Sequence, residues 1–151
     1  MGCGKSSVAN ALGALTGVPV LDLDQEIERR SGRSIPDIFE FDGEGAFREI
    51  EFEALRAALT EESAILATGG GAPCQEGAME ILSAWGVVVF LDVSFEVLER
   101  RVALEGGRPK WSADAKRLYT ERLPLYRQAK FSVDAAQPVA DVAQSILKEL
   151  Q

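Results

Sequence analysis

Histidine is absent from the chain of 151 residues. A general base that works near neutral pH must therefore be an Asp, Glu, Lys, Tyr or Cys side chain, and catalysis by histidine is excluded. Cysteine is nearly absent too, because Cys3 and Cys74 are the two that occur, far apart and without metal-ligand spacing. We therefore expect no disulfide, as is usual for a protein of the cytoplasm.

Long apolar runs and an excess of positive charge are also missing. No run reaches the ~18 residues that indicate a membrane span, and no signal-peptide pattern precedes the polar, glycine-rich start. The 16 Lys and Arg residues against 24 Asp and Glu residues leave a net charge of −8. This balance argues against broad binding to nucleic acid, although it leaves room for a small basic pocket that holds an anion.

Apolar runs that alternate with helical patterns predict one α/β domain. The strand candidates are residues 18–24 (VPVLDLD), 64–71 (AILATGGG), 87–93 (VVVFLDV) and 131–135 (FSVDA). Helical patterns cover residues 6–15, 44–59, 95–104, 112–129 and 139–150. Strands separated by helices imply parallel crossover connections.

The opening stretch, MGCGKSS, contains the second half of a phosphate-binding loop. The full pattern is G-x-x-x-x-G-K-[ST], and Gly4, Lys5 and Ser6 match its end. Glycines let backbone N–H groups approach phosphate oxygens, and the following helix directs its positive end at the same point. Lys5 could reach the β- and γ-phosphates, and the Ser6 hydroxyl could ligate Mg²⁺. Alone, the tripeptide is weak evidence, because a solvated turn can contain the same residues.

Six further stretches accompany this loop: DLDQEIE, SIPDIFEFDGEGAFREIE, ATGGGA, VVFLDV, RP and ERLPLY. With GCGKSS, the series resembles the shikimate kinase family of small P-loop kinases across nearly all of the chain. The resemblance implies a three-layer P-loop kinase sandwich whose parallel sheet has the strand order 2-3-1-4-5. It also implies ATP- and Mg²⁺-dependent phosphorylation of the shikimate 3-hydroxyl, in chorismate and aromatic amino-acid biosynthesis. We expect a monomer of the cytoplasm whose partner is this small substrate, with no nucleic acid and no membrane.

On the nucleotide side, the resemblance assigns roles to residues near both ends of the chain. The phosphate loop would comprise Gly2, Cys3, Gly4, Lys5, Ser6 and Ser7, with Lys5 also catalytic. Mg²⁺ would be held by Ser6 and, through water, by Asp22. Arg101 would stack on adenine, and Pro138 would be a second adenine contact, although it suits the start of a helix equally well.

A lid over about residues 103–116 is expected from the glycines of GGRPKWSAD. Within it, Arg108 could stabilise charge on the transferred phosphoryl group. The family often has two leucines after this RP pair, whereas Lys110 and Trp111 follow here. This departure affects lid packing and leaves the arginine in place.

On the acceptor side, the substrate-binding region would cover about residues 24–60. Asp22 and Asp24 stand two apart on a predicted strand, so their side chains should share one face near its carboxyl end. By resemblance, Asp24 holds the shikimate hydroxyls and is the candidate base. Arg48 and Arg122 would grip the shikimate carboxylate. Backbone at Gly69, Gly70 and Gly71 would approach the substrate closely, with Gly70 the best match.

Three alternatives stay open at this point. Asp92 ends an apolar strand as a metal-binding aspartate would, although we favour a turn role for it. The chain could be another small-molecule kinase of the same fold, such as a gluconate or nucleoside monophosphate kinase. It could also be an inactive relative that serves as a binding or regulatory module.

The number of strand candidates leads to a further expectation about the start of the chain. Four candidates occur where the implied fold has five, and the missing first strand would leave a gap between residues 64–71 and 87–93. We expect that the natural protein begins upstream of Met1, or that this is a truncated form with weakened phosphate binding.

Overall fold

The computed structural model of this protein describes residues 2–104 and 113–151. The helices are α1 (Lys5–Thr16), α2 (Leu23–Ser31), α3 (Ile35–Phe41), α4 (Gly43–Ala58), α5 (Ala78–Trp85), α6 (Phe95–Leu104), α7 (Ala113–Tyr126) and α8 (Val139–Glu149). The strands are β1 (Val20–Asp22), β2 (Ile65–Ala67), β3 (Val89–Asp92) and β4 (Phe131–Asp134). A short 3₁₀ turn at Ala72–Cys74 follows β2.

The described strands form two parallel pairs. Strand β1 pairs with β2 through Val20 opposite Ile65, and β3 pairs with β4 through Val89 opposite Phe131. No ladder joins β2 to β3 among residues 2–104 and 113–151. Both expected pairs and the expected gap between them are therefore present.

Hydrogen bonds show which strand residues face the gap. The N–H of Ile65 donates to the Pro19 carbonyl, so Ile65 faces β1. Since backbone groups alternate in direction along a strand, the N–H and C=O of Leu66 point the opposite way, toward β3. The carbonyls of Val88 and Asp92 accept bonds from the β4 segment, which by the same alternation turns Val89 and Leu91 toward β2.

An apolar cavity of about 360 Å³ occupies this gap. Residues 65–67 and 88–91 line it from the two strands, and α1 and α8 contribute Leu12 and Ile146. The hydrophobic core is correspondingly divided. One cluster packs α1, α6 and α8 against β3 and β4, and the other packs α2, α3, α4 and α5 together, with Leu66 of β2 against it.

Two details differ from the sequence expectations, and the start of α8 at Pro138 agrees with them. The strands are shorter than the apolar runs, since β1 ends at Asp22 and α2 begins at Leu23. Asp24 therefore lies in the first turn of α2 rather than on a strand beside Asp22. Pro138 precedes α8 as its N-cap, with φ −56° and ψ 145°. A fixed φ suits a residue at a helix start, but Pro138 is not itself helical.

Helices α2, α3 and α5 were not predicted. Helix α2 is very polar, and Leu23 and Ile27 are its buried residues, so it lacks a wide apolar stripe. Helix α3 has 7 residues and buries Ile38 alone. The five helices that were predicted are all present, with small shifts of their ends.

Candidate functional site

The phosphate loop turns directly into α1. Gly4 is the N-cap of this helix and has φ 84°, a left-handed conformation that favours glycine. No heavy atom outside its immediate neighbours would lie within 4 Å of a Cβ built there. The Lys5 ammonium donates a hydrogen bond to the Cys3 sulfur at 3.4 Å. The start of α1 therefore presents an open, positively polarised cradle suited to phosphate.

Ser6 and Asp22 meet beside this cradle. The Ser6 hydroxyl donates to Oδ2 of Asp22 at 2.5 Å, while Oδ1 of Asp22 accepts from the backbone N–H groups of Asp24 and Gln25. A hydroxyl and a carboxylate are oxygen ligands that suit Mg²⁺. This ion commonly binds through one or two protein groups plus substrate phosphates. The described residues contain no cluster of three or more acidic or cysteine ligands. A Mg²⁺ ion held by this pair would need its remaining ligands from phosphate oxygens and water.

Asp24 lies between the phosphate loop and the glycine turn, Gly69 to Gly71, that follows β2. Burial raises the pKa of its carboxyl group, as does the charge of Asp22, whereas the nearby Lys5 ammonium lowers it. A Cβ built on Gly69 would lie 3.1 Å from Oδ1 of Asp24. A carboxylate with a raised pKa is a better proton acceptor than an ordinary aspartate.

Arg48 is held on α4 by two carboxylates of very different exposure. Its Nη1 donates to Oε2 of Glu51 at 2.6 Å, and its Nη2 donates to Oε1 of Glu44 at 3.1 Å. The side chain of Glu51 is 1% exposed and that of Glu44 is 69% exposed. Gln75 also donates to Glu51. Glu51 therefore fixes the guanidinium from inside, while the solvated Glu44 is the partner that a ligand carboxylate could replace.

The backbone of the glycine turn packs closely against the side chains of Arg48 and Glu51. A Cβ on Gly71 would collide with the Arg48 guanidinium, and one on Gly69 would lie 3.0 Å from Oε1 of Glu51. Arg122 of α7 lines the same cavity as Gly69 and Gly70. The structure thus gathers Asp24, Arg48, the glycine turn and Arg122 at one end of the strand pairs, although they come from four segments.

Arg101 and Pro138 lie at a different corner. The Arg101 guanidinium donates to the carbonyls of Ala135 and Ala136, at 2.8 and 3.2 Å, which brings it to the turn that carries Pro138. The two expected adenine contacts are therefore near neighbours. Arg108 and residues 105–112 of the expected lid lie outside the described residues.

Two contacts of this site were not foreseen from the sequence. Gln75 donates to Glu51 from 24 residues away, and Tyr126 donates to the Gly70 carbonyl from 56 residues away. Gln75 has no sequence signal. Tyr126 closes the ERLPLY stretch, so its place in that motif was the available sign.

No helix in the described part of the chain has the length and apolar character to cross a membrane.

The fold and this site define a P-loop phosphotransferase for small molecules. A family profile described as shikimate kinase matches residues 1–151. The shikimate kinase of Aquifex aeolicus is 36% identical over 151 residues, which cover 98% of this chain and 90% of that protein. The shikimate kinase of Thioalkalivibrio sulfidiphilus is 41% identical over 140 residues, covering 89% and 74%. The chain belongs to the shikimate kinase family.

Solved structures agree with this family. The shikimate kinase of Acinetobacter baumannii in complex with shikimate has a TM-score of 0.92 at 37% identity, covering 99% of this chain and 88% of that one. A gluconokinase from Sinorhizobium meliloti has a TM-score of 0.64 at 20% identity, covering 99% of this chain and 86% of that one. At that identity the second likeness shows the fold alone.

Proposed function

We propose that this protein transfers the γ-phosphoryl group of ATP to the 3-hydroxyl of shikimate, forming shikimate 3-phosphate and ADP. The observation that carries the proposal is the meeting of two half-sites. The phosphate loop with Ser6 and Asp22 reaches the group of Asp24, Arg48 and the glycine turn. Family membership supplies the substrate, since a relative of similar structure is described in complex with shikimate.

On the donor side, residues 2–7 and the start of α1 bind phosphate oxygens through backbone N–H groups, and Lys5 places a positive charge against them. Ser6 and Asp22 would hold Mg²⁺, which supplies charge neutralisation at the phosphates when bound. Arg101 and Pro138 flank the base of the nucleotide. Arg108 is proposed to face the transferred group, as the family resemblance implies.

On the acceptor side, Arg48 and Arg122 hold the carboxylate of shikimate while the backbone of Gly69, Gly70 and Gly71 approaches its ring. Asp24 orients the hydroxyl groups and takes the proton of the attacking one. Because phosphoryl transfer depends mainly on positioning and charge stabilisation, this carboxylate need not be strongly basic. Glu51 and Gln75 keep Arg48 in place.

Two further proposals concern the oligomeric state and the cellular compartment. We propose a monomer that acts in the cytoplasm. Cys3 and Cys74 are both free thiols, and unpaired cysteines are usual in reducing compartments.

The test is an ADP-release assay with the purified chain, MgATP and a panel of acceptors: shikimate, gluconate, a nucleoside monophosphate and buffer alone. We expect ADP release that depends on shikimate, with shikimate 3-phosphate as the product detected by mass spectrometry. Release with gluconate or the nucleotide instead would overturn the substrate assignment. Binding of ATP and shikimate without turnover would identify an inactive relative.

A further inference from the structure

Tyr126 connects the last turn of α7 to the glycine turn. Its hydroxyl donates to the carbonyl oxygen of Gly70 at 2.5 Å. Its ring lies against Phe90 of β3, with the ring centroids 5.4 Å apart. The ring is thus seated on one strand pair while its hydroxyl holds the turn that leaves the other. This bond bridges the two pairs on the acceptor side of the cavity.

The Gly70 carbonyl, which accepts the bond from Tyr126, lies between two glycines whose backbone packs closely against side chains of the site. On one side, a Cβ built on Gly69 would lie 3.1 Å from the Asp24 carboxylate and 3.0 Å from the Glu51 carboxylate. On the other side, Gly71 lies directly against the Arg48 guanidinium. A displacement of the Gly70 carbonyl would therefore shift the backbone against the groups that we assign to the acceptor.

Tyr126 also shares a helix face with Arg122. The two residues are four apart on α7, a spacing that makes side chains neighbours. The positive charge of Arg122 is close enough to lower the pKa of the Tyr126 hydroxyl. The Tyr126 hydroxyl is therefore close to Arg122 and is also bonded to the glycine turn.

The hydroxyl serves as a hydrogen-bond donor rather than as a base. Burial raises the pKa of Tyr126 to about 12, against the smaller opposing effect of Arg122. The group consequently keeps its proton throughout the neutral range, and its bond to Gly70 does not change with pH there.

We propose that Tyr126 is a positioning residue for the acceptor, whose hydroxyl sets the glycine turn and Arg122 at the separation that shikimate binding requires. The inference rests on the proposed function, because it assumes that shikimate occupies this place. It concerns affinity for the acceptor and leaves the nucleotide side unaffected.

The test compares two tyrosines of the same helix. Tyr119 also donates its hydroxyl to a backbone carbonyl, that of Val93 at 3.2 Å, and also packs on a phenylalanine, Phe95. Tyr126→Phe and Tyr119→Phe therefore each delete a hydroxyl and its bond to a backbone carbonyl, and Tyr126→Phe also removes the contacts of that hydroxyl with Arg122 and Cys74. Calorimetric titration gives the dissociation constants for shikimate and ATP, and steady-state kinetics give KM and kcat.

We expect Tyr126→Phe to weaken shikimate binding by about 3- to 10-fold, the range that the net loss of one hydrogen bond gives. ATP affinity and kcat should stay within about twofold of the unmodified chain, across the pH range 6 to 9. Tyr119→Phe should leave shikimate affinity unchanged, even if both variants lose similar thermal stability.

Each other outcome overturns the inference. Unchanged shikimate affinity in Tyr126→Phe, or an equal loss in both variants, would reduce the hydroxyl to a structural contact. An equal loss of ATP and shikimate affinity would mean a general distortion. If the unmodified chain binds ATP but not shikimate, the proposed function fails first and the inference fails with it.

Discussion

The Ser6 hydroxyl lies 2.5 Å from Oδ2 of Asp22, so the first turn of α1 and the end of β1 meet at one point. The same carboxylate caps α2 through its other oxygen. One side chain thus joins the phosphate loop to the helix that carries Asp24. This contact places the proposed metal-binding pair, Ser6 and Asp22, and the candidate base Asp24 in a fixed relation.

Asp22→Asn should raise the Mg²⁺ concentration needed for ATP turnover by about tenfold or more, because it removes the charge that faces the ion. Asparagine caps a helix about as well as aspartate does, so the unfolding free energy without Mg²⁺ should change little. Kinetic titration with Mg²⁺ at saturating ATP measures the first effect, and denaturation measures the second. An unaltered Mg²⁺ requirement would remove Asp22 from the metal site.

Asp24→Asn should separate activity from stability. The substitution keeps the size of the side chain and removes its negative charge, so phosphoryl transfer should fall at least ~10²-fold, the low end for general acid–base catalysis. Single-turnover kinetics, with the enzyme in excess over ATP and with saturating shikimate, measure this loss. Near-normal turnover in the folded variant would rule out Asp24 as base or essential positioning group.

The pKa shift of Asp24 also predicts the direction in which Asp24→Asn changes the stability of the fold. Folding raises the pKa of Asp24, mainly through burial and also through the charge of Asp22. The unfolded chain therefore releases this proton at lower pH, and the ionised carboxylate disfavours the folded state at neutral pH. Asp24→Asn should be at least as stable as the unmodified chain at pH 7, and that advantage should vanish below the unfolded pKa. Urea denaturation at pH 7 and pH 3 checks this, and a less stable variant at pH 7 would contradict it.

Arg122→Ala should weaken shikimate binding far more than ATP binding. Loss of a charged hydrogen bond costs ~1.5–3 kcal/mol, or roughly 10- to 150-fold in affinity. Arg117 is a matched control on the same helix, since it is 64% exposed and lies near Asp114 and Glu121 at the surface. Calorimetry on Arg117→Ala should give unchanged affinities. An equal loss of both ligands in Arg122→Ala would refute the carboxylate assignment.

The sequence predicts the parts of the site that follow local patterns. Lys5 and Ser6 were proposed as site residues because the loop pattern itself carries their chemistry. Arg48 and the glycine turn were proposed as substrate contacts because their stretches occur together with others in a fixed order. The pairing of β1 with β2 and of β3 with β4 came from the same resemblance, since three- and four-residue strands carry too little periodicity to show their partners.

The remainder depends on tertiary contacts. Asp24 was assigned to a strand because DLD continues an apolar run, whereas the Asp22 carboxylate caps a helix at that point and ends the strand. Helix α2 was missed because a very polar helix has a weak periodic signal. Gln75 and Tyr126 act across 24 and 56 residues of sequence, and no local pattern encodes such a contact.

The gap between β2 and β3 leads to the last prediction, which concerns amide exchange. By the alternation of backbone directions, Leu66 and Val89 point their N–H groups into the apolar cavity, while Ile65 and Phe90 point theirs toward a paired strand. After correction for intrinsic rates, Leu66 should exchange at least about tenfold faster than Ile65, and Val89 faster than Phe90, because a paired amide must first open. Each comparison is between adjacent residues of one strand, so global or regional unfolding affects both members alike. Hydrogen–deuterium exchange followed by NMR resolves these amides individually. Equal protection within both pairs would show that β2 and β3 have strand partners in solution, and that the gap is closed there.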